Sequence, residues 1–174
     1  MQEAGATFEP YEVINPCAFE PAIAPHLAAR QAGKRIHTST LDAAHAQLAQ
    51  RHELVIAEGA GGWLVPLNED LSFAAWVEKH NWPVILVVGM RLGCINHALL
   101  SAENIMRRTR LAGWVANTLA PEMDCLEENI AEIRERIAAP LLGVIPANCD
   151  PERAMSLLKL PRLTGDEDDD EGMP

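Results

Sequence analysis

The stretch VILVV at residues 84–88 is an unbroken run of aliphatic, mostly β-branched residues. A run of this kind is typical of a strand that is buried on both faces of a parallel sheet. Similar apolar runs predict three more strands, at residues 54–57, 111–116 and 141–145. Helix-compatible stretches separate the four runs, and this alternation predicts an α/β fold in which helices flank a parallel sheet.

Five helices are predicted around these strands. One begins near Thr38, three cover residues 72–80, 95–108 and 126–137, and the last follows Asp150. Asp124 and Glu127 are predicted to cap the start of the fourth helix, and Asp150 with Pro151 to open the fifth. The Pro-rich residues 1–25 are predicted to be irregular, because proline interrupts regular backbone hydrogen bonding.

The length of 174 residues and the 48% share of hydrophobic residues predict one domain, residues 1–160, with a substantial core. The sequence DEDDDE at residues 166–171 contributes more than half of the formal net charge of −11. Residues 163–174 are therefore predicted to form a disordered acidic tail. The rest of the chain is mildly acidic, which argues against a nucleic-acid partner.

The four cysteines are widely spaced and form no Cys-x-x-Cys pair, a pattern that predicts reduced thiols rather than a metal site. The first residues show neither the basic region nor the apolar run of a signal peptide. No apolar run approaches the roughly 20 residues that a membrane-spanning helix needs. We therefore expect a cytoplasmic protein with no membrane partner.

Four unusual loops follow the predicted strands, where the carboxyl ends of parallel strands commonly bind ligands. They are EGAGG at 58–62, GMRLGCIN at 89–96, NT at 117–118 and PANCDPE at 146–152. Glycines let a backbone approach an anion closely, and a carboxylate at a strand end can hold Mg²⁺, so Glu58 is a candidate metal ligand. A tight turn explains EGAGG equally well. A turn-forming role explains Asn117 better than a role in reading adenine, on spacing alone.

The phosphate-binding pattern Gly-x-x-x-x-Gly-Lys-Ser/Thr does not occur in residues 1–174. The single Gly-Lys pair is Gly33-Lys34. Arg35 follows that pair, and Ala28 stands where the first glycine belongs. No catalytic residue is therefore identified from the sequence.

Several blocks of the sequence, in the right order, closely resemble the dethiobiotin synthetase family. The blocks are EGAGGWLVPL at 58–67, WPVILVVGMRLGCINHALLSAE at 82–103, LAGWVAN at 111–117 and APLLGVIP at 139–146, with INPCAFEPAIAPHLAA at 14–29 upstream. The resemblance covers residues 11–159. It implies a P-loop NTPase-like fold, a homodimer, and a ligase of biotin biosynthesis. With ATP and Mg²⁺, such an enzyme joins 7,8-diaminopelargonic acid and CO₂ into dethiobiotin.

The resemblance also implies roles for individual residues. Glu58 matches the Mg²⁺-binding glutamate, and Asn117 matches the asparagine that reads adenine, although Thr118 replaces the acidic residue that often follows it. Thr118 is nevertheless expected to bind the cofactor together with Asn117. The other residues expected along the nucleotide and the carbamate, or closing over the base and ribose, are Gly59, Ala60, Gly61, Pro146, Ala147, Asn148 and Glu152. Residues that reach the carboxylate tail of the substrate across the dimer interface are Gly93, Cys94 and Asn96.

The family carries its first strand and its P-loop lysine ahead of the block at residues 14–29, and the present sequence holds neither. We expect the carboxyl-terminal part of a synthetase, with activity impaired in the chain as written. The alternative is a non-catalytic module for nucleotide binding or dimerisation that pairs with a complete synthetase. Without the P-loop strand, neighbouring strands keep unpaired backbone groups, so the chain is expected to be poorly soluble or to assemble abnormally unless another polypeptide supplies a strand.

Overall fold

The computed structural model describes residues 8–161, which divide into two compact units at the bond between His80 and Asn81. The single domain of residues 1–160 stays a prediction, and the acidic tail predicted at residues 163–174 lies outside the described residues.

The first unit is built from four helices joined by irregular segments. The helices are α1 (Tyr11–Ile14), α2 (Pro25–Gln31), α3 (Thr38–Ala49) and α4 (Phe73–His80). The predictions of α3 and α4 are confirmed. The prediction that residues 1–25 are irregular throughout is wrong at α1 and at the start of α2, where Pro25 occupies a first-turn position that needs no N–H partner.

The strand predicted at residues 54–57 does not form. Leu54 and Ile56 are 55% and 81% exposed, and the one bridge found in the described part of this unit joins Pro66 to Ser72. The apolar run has a composition that favours a strand, but a strand also needs a neighbour that pairs with its N–H and C=O groups. No segment among residues 8–80 supplies that pairing.

The helices α3 and α4 are joined by one carboxylate. Asp42 accepts hydrogen bonds from Trp76 Nε1 at 2.7 Å, from His80 Nε2 at 2.8 Å and from Lys79 Nζ at 2.9 Å. Burial alone would raise the pKa of Asp42, but the hydrogen bonds from Lys79, Trp76 and His80 outweigh burial and lower the pKa to about 2.

Asp42→Asn is therefore expected to lower the stability of the chain at neutral pH. A carboxyl whose pKa falls from 3.8 to about 2 on folding stabilises the folded state above pH 3.8 and loses that contribution as the pH falls towards 2. The difference in denaturant midpoint between wild type and variant should thus be full at pH 7 and small near pH 2. Asp124→Asn, at an exposed side chain, is the control; an equal effect of both substitutions would contradict the expectation.

The second unit is a three-stranded parallel sheet with helices between its strands. The elements are β1 (Val84–Met90), α5 (Cys94–Met106), β2 (Leu111–Thr118), α6 (Leu126–Arg136), β3 (Leu141–Ile145) and α7 (Pro151–Leu157). The strand order is β1-β2-β3, and both pairs run parallel. This confirms the predicted α/β architecture.

The core of this unit forms around β2, which is paired on both sides. Trp114 and Ala116 on β2 are fully buried, as are Ile105 on α5 and Ile133 on α6. The predicted apolar stripe of α6 is confirmed at Ile130 and Ile133, which are buried, while Leu126 is only partly buried. Ile137 is also buried, but it is the extended C-cap just after the helix. Burying aliphatic side chains of this size is worth about 1.5–3 kcal/mol each, so these contacts dominate the stability of the unit.

Two local predictions have different outcomes. Asp124 and Glu127 do not cap α6. Cys125 occupies the N-cap with φ 54° and no side-chain hydrogen bond, because this left-handed residue shifts the helix start past Asp124. Asp150 does cap α7, since its Oδ1 accepts from the backbone N–H of Arg153 at 2.9 Å.

The strand β1 is not buried on both faces as predicted. Ile85 and Val87 are 42% and 59% exposed, whereas Val88 and Met90 are buried. The reason is that the described residues leave the face of β1 that carries Ile85 and Val87 largely uncovered. In addition, β1 pairs with β2 on one side only, and no described residue pairs with its outer edge. The strand β1 therefore has an unpaired edge and exposed aliphatic side chains.

Candidate functional site

In the first unit, the loop EGAGG has a conformation that needs its glycines. Gly61 and Gly62 have φ values of 96° and 100°, which residues other than glycine rarely adopt. A Cβ on Gly59 would fall 2.9 Å from the ring of Phe73, the first residue of α4. The loop is therefore a tight turn packed on an aromatic ring, and Ala60 lies exposed at its tip.

The Glu58 carboxylate at the start of this loop is exposed and has no hydrogen bond or ion pair to another residue between 8 and 161. Mg²⁺ is usually bound by one or two carboxylates, with water and substrate phosphates completing the shell. No group of three or more His, Cys, Asp or Glu suited to a metal occurs in the described part of the chain. Glu58 thus fits one ligand of Mg²⁺ beside phosphate and water, and does not fit an all-protein metal site.

A cavity of about 340 Å³ in the same unit is lined by none of the residues predicted for the site. It lies between the start of α3 and the turn after Pro66. Its lining comprises Arg35, His37, Thr38, Ser39, Asn68, Asp70 and Leu71.

In the second unit, the three segments predicted as loops lie at the carboxyl edge of the sheet, as expected, but two of the predicted loop starts are wrong. Gly89 and Met90 still belong to β1, and Asn117 and Thr118 are the last two residues of β2. Asn117, the second-last residue of β2, is in register with Gly89 on β1 and with Ile145 on β3. Its side-chain amide is partly exposed and has no hydrogen-bond partner among the described residues. Gly89 offers no side chain beside it, so the Asn117 amide keeps its donor and acceptor available at this edge.

Thr118 differs from Asn117 because its side chain is buried. Its Oγ1 has no hydrogen-bond partner among residues 8–161, and successive residues of a strand point to opposite faces. An unpaired buried hydroxyl costs roughly 1–3 kcal/mol. Thr118 is therefore brought to the same edge as Asn117 but not to the same face.

The loop after β1 ends at the start of α5. Gly93 is the N-cap, with φ 89°, and Asn96 is exposed in the first turn. Cys94 is buried, and its thiol donates to Oδ1 of Asn129 on α6 over 3.8 Å. Asn129 in turn donates through Nδ2 to the carbonyl oxygen of Cys125 at 2.6 Å.

The contact of Asn129 with Cys94 was not predicted from the sequence. A signal existed, because Asn129 directly precedes Ile130 and lies next to the apolar stripe of α6. A polar residue at the border of a helix's buried face often makes a specific contact with a neighbouring element.

The loop after β3 is short and turned. Pro146 and Ala147 are partly buried, and Asn148 is exposed with φ 56°. The N–H of Cys149 donates to the carbonyl oxygen of Pro146 at 3.3 Å. Glu152 is exposed in the first turn of α7. Each of these residues lies where the sequence predicted it, and their roles in binding stay predictions.

Comparison with known proteins gives the family. A family profile described as an AAA domain matches residues 3–154. Proteins named ATP-dependent dethiobiotin synthetase BioD are similar: one from Nitrosospira multiformis is 47% identical over 155 residues, which cover 87% of this chain and 69% of that protein. The chain belongs to the dethiobiotin synthetase family. The resemblance predicted from the sequence blocks is thereby confirmed.

Two further dethiobiotin synthetases have similar coverage. The protein from Pseudomonas paraeruginosa is 53% identical over 142 residues, which cover 80% of this chain and 62% of that protein. The protein from Aromatoleum aromaticum is 44% identical over 162 residues, which cover 91% and 72%. The chain thus spans about six to seven tenths of the length of these dethiobiotin synthetases.

The helices provide one further observation. Of those within residues 8–161, none has both the length and the apolar character required to cross a membrane.

Proposed function

We propose that this chain acts in dethiobiotin synthesis, an ATP- and Mg²⁺-dependent ligase reaction of biotin biosynthesis that closes 7,8-diaminopelargonic acid and CO₂ into a cyclic urea. Membership of the dethiobiotin synthetase family supports the reaction. The observation that carries the proposal in this structure is the available amide of Asn117, set between Gly89 and Ile145 at the carboxyl edge of the sheet. The proposed location is the cytoplasm.

Asn117 is the proposed adenine-reading residue. A side-chain amide donates one hydrogen bond and accepts another, and this pair matches the N6 donor and N7 acceptor of adenine. Pro146, Ala147, Asn148 and Glu152 follow the neighbouring strand and are the proposed contacts to base and ribose. The buried hydroxyl of Thr118 is not proposed as a direct contact to the base.

Glu58 is the proposed protein ligand of Mg²⁺, and Gly59, Ala60 and Gly61 are the proposed contacts to phosphate and carbamate. Bound Mg²⁺ would offset negative charge on the phosphoryl oxygens during transfer. The role of Glu58 is to bind and orient with an exposed carboxylate. The glycines add no side chain of their own, so that backbone N–H groups can approach an anion on the side of the loop away from Phe73.

The start of α5 is the proposed site for the carboxylate tail of the diamine, with Gly93, Cys94 and Asn96 as its contacts. The first N–H groups of a helix have no partner within the helix, and the positive end of the helix dipole favours an anion. A homodimer is part of this proposal, because the family resemblance implies that this segment reaches the substrate's carboxylate tail across the dimer interface.

Calorimetric titration of the purified chain with ATP tests the nucleotide and metal parts together. Saturable binding is expected with Mg²⁺, and Glu58→Gln should weaken it by about tenfold, the value of one charge-assisted contact. In EDTA the wild type and Glu58→Gln should bind ATP equally. Glu53→Gln, a nearby exposed glutamate, is the matched control and should bind as the wild type does. Absence of binding in the wild type, or equal weakening by both substitutions, would refute the proposal.

A further inference from the structure

The outer edge of β3 is covered by the chain itself. After α7 the backbone turns back, and the N–H of Lys159 donates to the carbonyl oxygen of Leu142 at 2.8 Å. The carbonyl oxygen of Leu157 occupies the space that a Cβ on Gly143 would need. Residues 157–159, the return segment, therefore lie directly against β3, and the absence of a side chain at Gly143 permits this approach.

The return segment also holds α7, which buries no residue of its own. A helix of seven residues is too short to be stable by itself, so its position depends on contacts made beyond it. The Asp150 cap fixes the start of α7, and the return segment fixes its end.

The loop at residues 146–150 joins β3 to α7, so the return segment constrains it as well. One end of the loop continues from Ile145, which is in register with Asn117 on the central strand. The other end is Asp150, the N-cap of α7. A loop of five residues with both ends fixed retains few conformations, and its ordering entropy is lost on folding rather than on ligand binding.

We propose that the return segment is a positioning element for nucleotide binding: through the Lys159 N–H and the approach to Gly143, it fixes the loop 146–150 in the conformation that receives a base and ribose. This inference rests on the proposed nucleotide site and goes beyond it. Neither Lys159 nor Gly143 needs to touch the ligand, so both act through the loop.

Lys159→Pro is the decisive variant because it removes the backbone donor and leaves the sheet unchanged. Leu158 already has φ −100° and ψ 141°, a conformation that accepts a following proline. The matched control is Lys159→Ala, which loses the side chain and keeps the N–H. In Lys159→Pro, amide exchange at residues 147–150 should quicken, and the Kd for Mg·ATP should rise by about fivefold, the size of one lost backbone hydrogen bond.

The binding of 7,8-diaminopelargonic acid separates positioning from a general loss of structure. Its Kd should not change in Lys159→Pro, whereas a damaged fold would weaken both ligands. Gly143→Ala disturbs the same contact from the side of the sheet, because the added Cβ would meet the carbonyl oxygen of Leu157. It should also raise the Kd for Mg·ATP more than the Kd for the diamine.

Two results overturn the inference. One is unchanged exchange at residues 147–150 in Lys159→Pro, and the other is faster exchange with an unchanged Kd for Mg·ATP. If the wild-type chain binds no Mg·ATP, the proposed function fails by itself, and unchanged exchange in Lys159→Pro would then overturn the inference separately.

Discussion

The chain of residues 1–174, supplied alone with ATP, Mg²⁺, CO₂ and the diamine, is expected to form dethiobiotin at least on the order of 10³-fold more slowly than a complete synthetase. The sequence holds no Gly-x-x-x-x-Gly-Lys-Ser/Thr, and loss of a lysine that stabilises the transferring phosphoryl group costs several kcal/mol of transition-state stabilisation. The measurement is product formation by mass spectrometry, beside the dethiobiotin synthetase of Pseudomonas paraeruginosa.

Addition in trans should distinguish the two hypotheses for the chain. A polypeptide that carries the first strand and phosphate-binding loop implied by the family resemblance should restore part of the rate if the chain is the remaining part of a synthetase. Mg·ATP binding that is never accompanied by turnover, with or without this polypeptide, would favour the non-catalytic module. A rate near that of the complete enzyme without any addition would refute the expectation.

The second large effect is expected at the outer edge of β1. The sequence VILVVGM carries no charge, Ile85 and Val87 are exposed, and an unpaired edge of this kind pairs readily with other chains. The chain by itself should therefore sediment as large, concentration-dependent species. Val87→Lys places a charge on the exposed face and should shift the population towards small species no larger than the proposed homodimer, with a change in stability within about 0.5 kcal/mol.

Val88→Lys is the matched variant on the same strand. Val88 is buried, so an unpaired lysine there should destabilise the second unit by about 3 kcal/mol or more and increase association. If Val87→Lys and Val88→Lys sediment alike, or if the wild type is a monomer that melts cooperatively, association does not arise from the β1 edge.

The strands β1, β2 and β3 could be predicted from sequence because each apolar run has a partner strand nearby in the same unit. The run at residues 54–57 has the same composition and forms no strand, because pairing is a property of the neighbours and not of the run. The exposure of Ile85 and Val87 was missed for the same reason. Burial of β1 on both faces was predicted from the apolar sequence of that strand alone, whereas burial depends on which elements cover each face.

The candidate site also contains features that could be predicted from the sequence and features that could not. The position of Asn117 at a strand end followed from the alternation of strands and loops, and the structure places it there. The contact between Cys94 and Asn129 and the fold-back of residues 157–159 onto Gly143 depend on packing between elements distant in sequence, which no local pattern encodes. The left-handed Cys125 displaced the predicted cap, since a single backbone torsion decides which residue opens a helix.

The burial of Trp114 has a spectroscopic consequence. Its indole is fully buried at the centre of β2, and its Nε1 has no hydrogen-bond partner in the part of the chain that the structure describes. Its fluorescence should therefore lie at the short-wavelength end of the range for tryptophan. Trp63 and Trp76 belong to the first unit. Replacing those two residues and Trp82 by phenylalanine would leave an emission whose red shift reports the melting of the second unit alone.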